Sequence, residues 1–331
     1  MAATVILGLG HVLPPRVVSN EELATRLQVD ASTLRARTGI AQRYYAGVGV
    51  GPSDLALEAS TMALGRAGLV AADLDFIVFV TMTPDIAFPG CGCFLQDKLG
   101  VPPIGALDIR AQCLGFIFGL LVADRFLETR MYDRILLSAA EVHSTSLDFS
   151  VRGATVTPYF GDGAAAAVLS VANDGRGLVA GVMHSDGADC ERFWCEYPAS
   201  RQHPVRMTLD DLREGRHYPQ IDFGALNPVA RRLLREVITE VLGRGGCRAG
   251  DIAHFFVHYV DPQAALDAAR QIGIAPDRVT ATGAETGHIG AAALPIALSR
   301  AWDAGAVRSG DLVCLAGVGA GINWGAVIIR L

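Results

Sequence analysis

Short apolar runs alternate along the chain with longer stretches in which apolar residues recur at helical spacing. The runs are rich in β-branched and aromatic residues, as buried strands are. They are Phe76–Val80, Arg134–Ser138, Ala164–Val171, Phe255–His258, Leu312–Leu315 and Ala326–Ile329. Pro52–Gly68 and Pro228–Leu242 are predicted to be covering helices, because apolar residues fall on one face and polar residues on the other. The alternation predicts an α/β fold with largely buried sheets.

The two halves of the chain share one sequence pattern. Asp73–Pro84 and Asp251–Pro262 both contain an Asp, an apolar strand and a closing Pro. Each segment follows a predicted helix, precedes a second helix and a small-residue loop, and lies in a half that ends with a strand pair. This repetition predicts two duplicated halves, residues 1–171 and 172–331. Residues 187–219 fit neither helix nor strand and are predicted to be an irregular insertion that lines a pocket or an interface.

Composition and charge exclude several classes of protein. The 331 residues are 51% hydrophobic and 19% charged, which is typical of a compact globular protein of about two domains. A net charge of −6 without a basic block argues against a nucleic-acid partner. The apolar runs are too short to span a membrane and no signal peptide is visible, so we expect a cytoplasmic protein without membrane contact. The seven cysteines lack metal-site spacing, so we expect free thiols and no metal.

Cys113 is the candidate nucleophile. It lies just before an apolar helical run, so we expect it in the first turn of a helix, where the helix dipole stabilises a thiolate. The equivalent loop-to-helix junction of the second half carries His288, and the repeated strand there ends at His258. The repeat therefore predicts that three reactive side chains converge where the halves meet. The alternative is structural, since a free cysteine is usually buried and inert and a histidine at a strand end is usually a hydrogen-bonded core residue.

The motifs around these residues resemble the thiolase-fold ketosynthases, specifically the branch of the ketoacyl-acyl-carrier-protein (ACP) synthases III. They occur in the family's order over nearly the whole chain. The motifs are Arg37–Ile40, Ala87–Pro89, Gln112–Phe116, Phe160–Gly163 and Gly317–Gly325. The resemblance implies a five-layer αβαβα thiolase fold built from two halves, and a homodimer. It also implies an acyl-enzyme formed on the cysteine from an ACP or coenzyme A thioester, without a cofactor.

Site residues can be assigned by position within this resemblance. Cys113 is then the nucleophile and His258 the catalytic histidine. The backbone N–H groups of Cys113 and Ala320 would form the oxyanion hole. The positions implied for the substrate channel and the phosphopantetheine are Arg37, Phe88, Arg152 and Asp261, with Phe88 reaching into the partner's channel.

Three departures from the family pattern change the expected activity. His288 stands where condensing members have the Asn that, with the histidine, stabilises the enolate left by decarboxylation of malonyl-ACP. Thr33 replaces a Trp that stacks on the adenine of coenzyme A, and Asp261 replaces an Asn, so a carrier-protein donor fits better. We therefore predict a polyketide- or antibiotic-pathway acyltransferase that moves an acyl group from ACP through Cys113 to a carrier-protein thiol or a hydroxyl, without condensation.

Two other functions stay open at this stage. One is condensation of an acyl starter with malonyl-ACP, as in ketoacyl-ACP synthase III. The other is a non-catalytic partner that binds carrier protein beside another ketosynthase. Within the transfer hypothesis His288 is predicted to be the base, because a helix start symmetric to that of Cys113 would keep its ring neutral. His258 would polarise Cys113 or hold the thioester carbonyl.

Overall fold

The computed structural model describes residues 2–202 and 204–331, so His203 of the predicted insertion lies outside it. Strands β1–β7 are Ala3–Val12, Arg16–Ser19, Gln42–Tyr45, Phe76–Val80, Gly105–Ile109, Ile135–Glu141 and Gly163–Ala172. Strands β8–β14 are Gly177–Ser185, Phe193–Trp194, Gln220–Ile221, His254–His258, Val279–Ala281, Leu312–Gly319 and Asn323–Arg330. Helices α1–α9 are Asn20–Leu27, Ala31–Thr38, Pro52–Ala67, Cys91–Leu99, Gly115–Glu128, Leu209–Glu214, Phe223–Arg244, Pro262–Gln271 and Ala293–Asp303.

Two five-stranded sheets with the same strand order form the centre of the molecule. The first has the order β1-β7-β6-β4-β5 and the second the order β8-β14-β13-β11-β12. The repeated strands β4 and β11 occupy equivalent places, since β4 is parallel to β5 and β6 while β11 is parallel to β12 and β13. All other neighbours in both sheets are antiparallel. The strands of the first sheet come from residues 3–172 and those of the second from residues 177–330.

Helices cover both sheets and separate them. Helices α5 and α9 lie between the sheets, because α5 contacts β4, β6, β8 and β14 and α9 contacts β1, β7 and β11. Helices α3 and α4 cover the outer face of the first sheet, and α7 and α8 contact the second sheet from its other side. The order is helix, sheet, helix, sheet, helix, which gives the predicted five layers. The central position of α5 explains why both of its faces are apolar, with Phe116 and Leu120 fully buried.

The observed elements agree with most of the predicted ones and extend several. Strand β4 has the predicted bounds, and α3 ends one residue earlier than predicted, where Gly68 adopts a left-handed conformation. Helix α7 begins before Pro228, because Asp222 caps the helix by accepting the N–H of Ala225, so the first turn forms ahead of the proline. The predicted insertion is not wholly irregular, since Thr208 caps the short helix α6 within it. Among the described residues, the structure contains no helix long and apolar enough to cross a membrane.

Candidate active site

The three reactive residues predicted from the repeat meet between the two sheets. One donor atom from each of Cys113, His258 and His288 lies within 4.8 Å of the others, and all three side chains are buried. Cys113 Sγ is 3.4 Å from His288 Nε2, and the rings of His258 and His288 stack with centroids 4.8 Å apart and planes 6° apart. The structure therefore brings together, as one cluster, residues that are far apart in sequence. Their catalytic roles stay predictions.

Cys113 lies in a 3-10 turn, Gln112–Leu114, that leads directly into α5. The preceding Gln112 has a left-handed φ of 46°, an uncommon conformation for a residue other than glycine that marks strain at this turn. Asn323 holds the turn against the opposite half, because its side-chain amide donates to Gln112 Oε1 at 3.2 Å and to the carbonyl of Ala320 at 2.9 Å. This arrangement fixes Cys113 relative to the β13–β14 connection.

The predicted oxyanion-hole residue Ala320 lies next to the cysteine. Its backbone N–H and that of Cys113 itself lower the pKa of the Cys113 thiol, because both lie near the sulfur. A backbone N–H group near the sulfur is also close to the carbon that the sulfur would attack. The positions of the two N–H groups are thus compatible with stabilisation of an oxyanion on a Cys113-bound acyl group.

Burial disfavours the expected thiolate of Cys113 in the free protein. Desolvation raises the pKa of Cys113 to about 12, with a further rise from the buried carboxyl of Glu141, and both outweigh the backbone donors. The prediction that the helix start favours a thiolate was therefore wrong for the free protein. The raised pKa favours the neutral thiol of Cys113 in the free protein.

His258 ends strand β11 and is held by one hydrogen bond. Its Nδ1 lies 2.5 Å from Thr282 Oγ1, whereas its Nε2 is buried and has no hydrogen-bond partner. Burial lowers the pKa of His258 to about 3, so the ring is neutral. One nitrogen of a neutral imidazole is therefore available to an incoming group.

His288 is placed by backbone pairing with the Phe160–Gly163 motif. The His288 N–H donates to the carbonyl of Tyr159 at 2.7 Å, and its carbonyl accepts the N–H of Gly161 at 3.0 Å. The residue lies before the 3-10 turn Gly290–Ala292 that leads into α9, whereas Cys113 lies inside the equivalent turn of the first half. The predicted symmetry with Cys113 was therefore wrong in register.

The His288 ring is neutral for a different reason from the one expected. Burial lowers its pKa well below the usual range, and His258 and His143 lower it further. The largest cause of the lowered pKa is thus burial.

Sequence reasoning missed two buried residues beside the cluster. The His143 ring lies 4.9 Å from that of Phe160 and 6.0 Å from that of His288, its Nε2 has no partner, and burial lowers its pKa to about 3. Glu141, which ends β6, accepts from Thr83 Oγ1 at 2.7 Å and from the N–H of Met82, and burial raises its pKa to about 7. The available signal was the pair of ionisable residues Glu141 and His143 at the end of an apolar strand.

The four predicted channel residues lie outside this cluster. Phe88 is 80% exposed, and a guanidinium nitrogen of Arg37 donates to the carbonyl of Ala154. Arg152 donates to Asp148 at 2.5 Å and lines a cavity of about 350 Å³ together with Tyr218 and other residues of the predicted insertion. Asp261 caps α8 by accepting the N–H groups of Gln263 and Ala264, and it also accepts from Asn227 Nδ2 at 2.9 Å. Their roles as channel residues stay predictions.

Comparison with protein families identifies the family of the chain. Residues 107–187 match the family model of 3-oxoacyl-[acyl-carrier-protein] synthase III, and residues 242–331 match the model of its C-terminal part. A beta-ketoacyl-[acyl-carrier-protein] synthase III of Chelativorans sp. is 35% identical over 337 residues, which cover 100% of both chains. The synthase III of Syntrophomonas wolfei is 32% identical over 325 residues, which cover 98% of this chain and 96% of the relative.

Solved structures agree. The crystal structure of 3-oxoacyl-(acyl carrier protein) synthase III from Pseudomonas aeruginosa PAO1 matches with a TM-score of 0.89 and 32% identity, covering 99% of this chain and 98% of that one. The Aquifex aeolicus enzyme matches with a TM-score of 0.90 at 29% identity, covering 99% and 100%. The predicted family and thiolase fold are therefore confirmed. The chain belongs to the 3-oxoacyl-[acyl-carrier-protein] synthase III family of acyl-transferring enzymes.

Proposed function

We propose that this enzyme transfers an acyl group from an acyl carrier protein through Cys113 to a thiol or hydroxyl acceptor, without loss of carbon dioxide. The observation that carries the proposal is the 3.4 Å contact between Cys113 Sγ and His288 Nε2. An imidazole can accept a proton, whereas the Asn of the condensing pattern cannot. A base therefore stands at the nucleophile, which is what transfer to a protic acceptor requires.

The first half-reaction forms the acyl-enzyme. The sulfur of Cys113 attacks the thioester carbonyl of the donor while its proton passes to His288 Nε2. The carbonyl oxygen takes up the negative charge and accepts from the N–H groups of Cys113 and Ala320. The carbon–sulfur bond of the donor then breaks, and the pantetheine thiolate leaves with the proton from His288. Since the resting site holds a neutral thiol and neutral rings, proton transfer accompanies attack.

The second half-reaction reverses these roles. The acceptor's thiol or hydroxyl gives its proton to the imidazole as it attacks the acyl carbon on Cys113. The bond from that carbon to Sγ breaks, and the sulfur recovers the proton. No carbon–carbon bond forms and no carbon dioxide is released. Specialised metabolism, such as polyketide or antibiotic tailoring, is the setting we propose for such a step.

Condensation with malonyl-ACP is the second candidate, and the comparisons support it more strongly than they support transfer. The relatives named above are beta-ketoacyl-ACP synthases. His258 and His288 stack almost in parallel, so two Nε2–H tautomers could both donate to an enolate oxygen. That tautomer would leave His288 without a lone pair on Nε2 for the thiol proton of Cys113. The two reactions thus need opposite tautomers of one ring.

A carrier protein is the donor that we propose over coenzyme A. Thr33 is exposed on α2, and its backbone N–H contacts the capping Asp30, so this position offers no ring on which an adenine could stack. Arg37 and Arg152 are exposed and carry the charge that a phosphopantetheine phosphate would need. The exposed Phe88 is proposed to cover the partner's channel in a homodimer.

Intact-protein mass spectrometry tests acylation. The protein is incubated with acetyl-, hexanoyl- and benzoyl-ACP, and we expect one acyl adduct in the wild type and none in Cys113→Ala. Cys314→Ala is the matched control, because the Cys314 thiol is equally buried and its pKa is likewise raised to about 12, but it is not part of the cluster. If no donor gives an adduct, the protein is a carrier-protein-binding partner and the transfer proposal fails.

The role of His288 is tested on the same adduct. His288→Ala should acylate slowly and should not discharge its acyl group to added pantetheine or N-acetylcysteamine. Transfer at the wild-type rate by His288→Ala would show that this histidine is structural.

A further inference from the structure

The active-site cluster has the donor set of a zinc site. Cys113, His258 and His288 each direct one ligand atom into a space where these atoms lie within 4.8 Å of one another. Thiolate sulfur and imidazole nitrogen are the ligands that Zn²⁺ prefers, and three protein ligands with an open fourth position are typical of accessible zinc sites. The spacing of these residues along the sequence gives no metal motif. The site exists only because the two halves of the fold meet.

We infer that Zn²⁺ binds reversibly to Cys113, His258 and His288 and blocks acylation of the enzyme. On binding, the thiol of Cys113 loses its proton to solvent and its sulfur becomes a zinc thiolate, while each histidine donates a lone pair. Water or a small anion completes the coordination. No redox step takes place, and a chelator restores the free thiol.

The distances fit such a site with a small adjustment. Zn–S and Zn–N bonds of about 2.3 and 2.0 Å in a tetrahedron separate sulfur from nitrogen by about 3.5 Å. The observed distance from Cys113 Sγ to His288 Nε2 is 3.4 Å. The three ligand atoms lie within 4.8 Å of one another, which allows separations larger than the tetrahedral one. One imidazole ring therefore has to turn slightly toward the metal. The first two ligands are therefore already in place.

His258 supplies the independent support. Its Nε2 is fully buried and has no hydrogen-bond partner, which costs free energy unless a group binds there. Its Nδ1 lies 2.5 Å from Thr282 Oγ1. A hydrogen-bond partner on the second ring nitrogen is the usual outer contact of a zinc-bound histidine, and the Thr282 hydroxyl can accept from Nδ1–H in the tautomer that leaves Nε2 free for the metal. His258 is thus orientated as a zinc ligand would be.

His288 supplies the third ligand of the proposed site. With the Asn of the family pattern at this position, the site would retain only a thiol and one imidazole. Two protein ligands bind zinc far more weakly than three. The inference rests on the proposed function in one respect, namely that the route by which an acyl donor reaches Cys113 also admits a hydrated ion.

Cobalt substitution tests the site directly, since Co²⁺ reports both geometry and sulfur ligation. Chelator-treated protein at pH 7.5 is titrated with Co²⁺ alone. We expect one equivalent to produce the visible bands of tetrahedral cobalt and a thiolate charge-transfer band, and Zn²⁺ should remove both. Cys113→Ala should lose the charge-transfer band, and His288→Asn should bind at least about tenfold more weakly. Cys314→Ala and the exposed-thiol variant Cys93→Ser/Cys190→Ser should behave as the wild type.

Zinc should also slow adduct formation from hexanoyl-ACP, and prior acylation should abolish the cobalt spectrum. The inference is overturned if wild-type protein gives no tetrahedral spectrum, or if Cys113→Ala keeps the charge-transfer band. Circular dichroism of each variant identifies a loss caused by misfolding, and the single variant His258→Asn then repeats the test. Failure of the proposed transfer function is seen separately, because acyl adducts are measured without metal.

Discussion

The pH dependence of the free energy of unfolding reports whether the buried His143 ring is neutral in the folded protein. The pKa of His143 is lowered by burial to about 3 from an ordinary value of 6.5. Because the pKa of His143 is lower in the folded than in the unfolded state, His143 does not reduce the free energy of unfolding above pH 6.5. It reduces that free energy progressively as the pH falls from 6.5 toward 3. Between these values the unfolded chain binds a proton that the folded protein excludes.

The magnitude follows from this difference. At pH 5, which is 1.5 units below the pKa of the unfolded imidazole, protonation stabilises the unfolded chain. The free energy of unfolding should therefore be about 2 kcal/mol lower at pH 5 than at pH 7.5. His143→Leu and His143→Gln remove this titration, although they change packing differently. Relative to wild type, each variant should therefore become more stable by about 2 kcal/mol when the pH is lowered from 7.5 to 5.

Urea unfolding followed by tryptophan fluorescence at the two pH values measures the effect. The two variants differ in shape and polarity, so an equal pH-dependent change in both identifies titration as the cause. If the stability difference from wild type is the same at both pH values, folded His143 binds a proton at pH 5. In that case burial does not keep the imidazole rings of the site neutral, and the proposed proton transfer loses its premise.

Three further predictions test the surroundings of the site. Gly319→Ala should lower the free energy of unfolding by about 1–3 kcal/mol and slow acylation, because the new Cβ would lie 2.6 Å from Cys113 Cβ and 3.0 Å from its Sγ. Thermal unfolding measures the effect, with Gly187→Ala as the control, because a Cβ at Gly187 meets open space. Asp261→Ala should cost about 1 kcal/mol through loss of the α8 cap and Asp261→Asn much less, and equal losses in urea would contradict the capping role. Phe88→Asp should shift a dimer toward monomer in light scattering, since Phe88 is 80% exposed in the isolated chain, and a wild-type monomer would refute the interface.

Periodicity and repetition predicted the inner strands of both sheets, because these strands are largely buried on both faces. The inner strands are β4, β6, β7, β11, β13 and β14, whereas the edge strands β1, β5, β8 and β12 were not among the predicted runs. Strand β4 is wholly buried, and its apolar run has the same bounds as the strand. The repeat then placed His258 at the end of β11, where the equivalent strand of the first half also ends. The three-residue edge strand β12 carries no such apolar run. It lies in a segment that the sequence predicted to be a small-residue loop.

The sequence predicted which residues form the cluster better than it predicted their pKa values. The neutral thiol of Cys113 and the low pKa of His288 depend on desolvation by residues that are distant in sequence. His143 and His288 are 145 residues apart in sequence and lie near each other only in the folded chain. Burial and such contacts appear only once the chain is folded, so motif position alone suggested a thiolate where the structure has a thiol.

Release of carbon dioxide from malonyl-ACP is the most direct test of transfer against condensation. Wild type and His288→Asn, preloaded with a hexanoyl group on Cys113, are given malonyl-ACP labelled in its free carboxyl carbon. Cys113→Ala, treated with the same hexanoyl donor, gives the background, and the released label is counted for all three. The account predicts no release above the Cys113→Ala background in wild type and measurable release in His288→Asn, which restores the amide of the condensing pattern. Wild-type release that depends on Cys113 and matches the consumption of hexanoyl-enzyme would contradict it and establish a condensing enzyme.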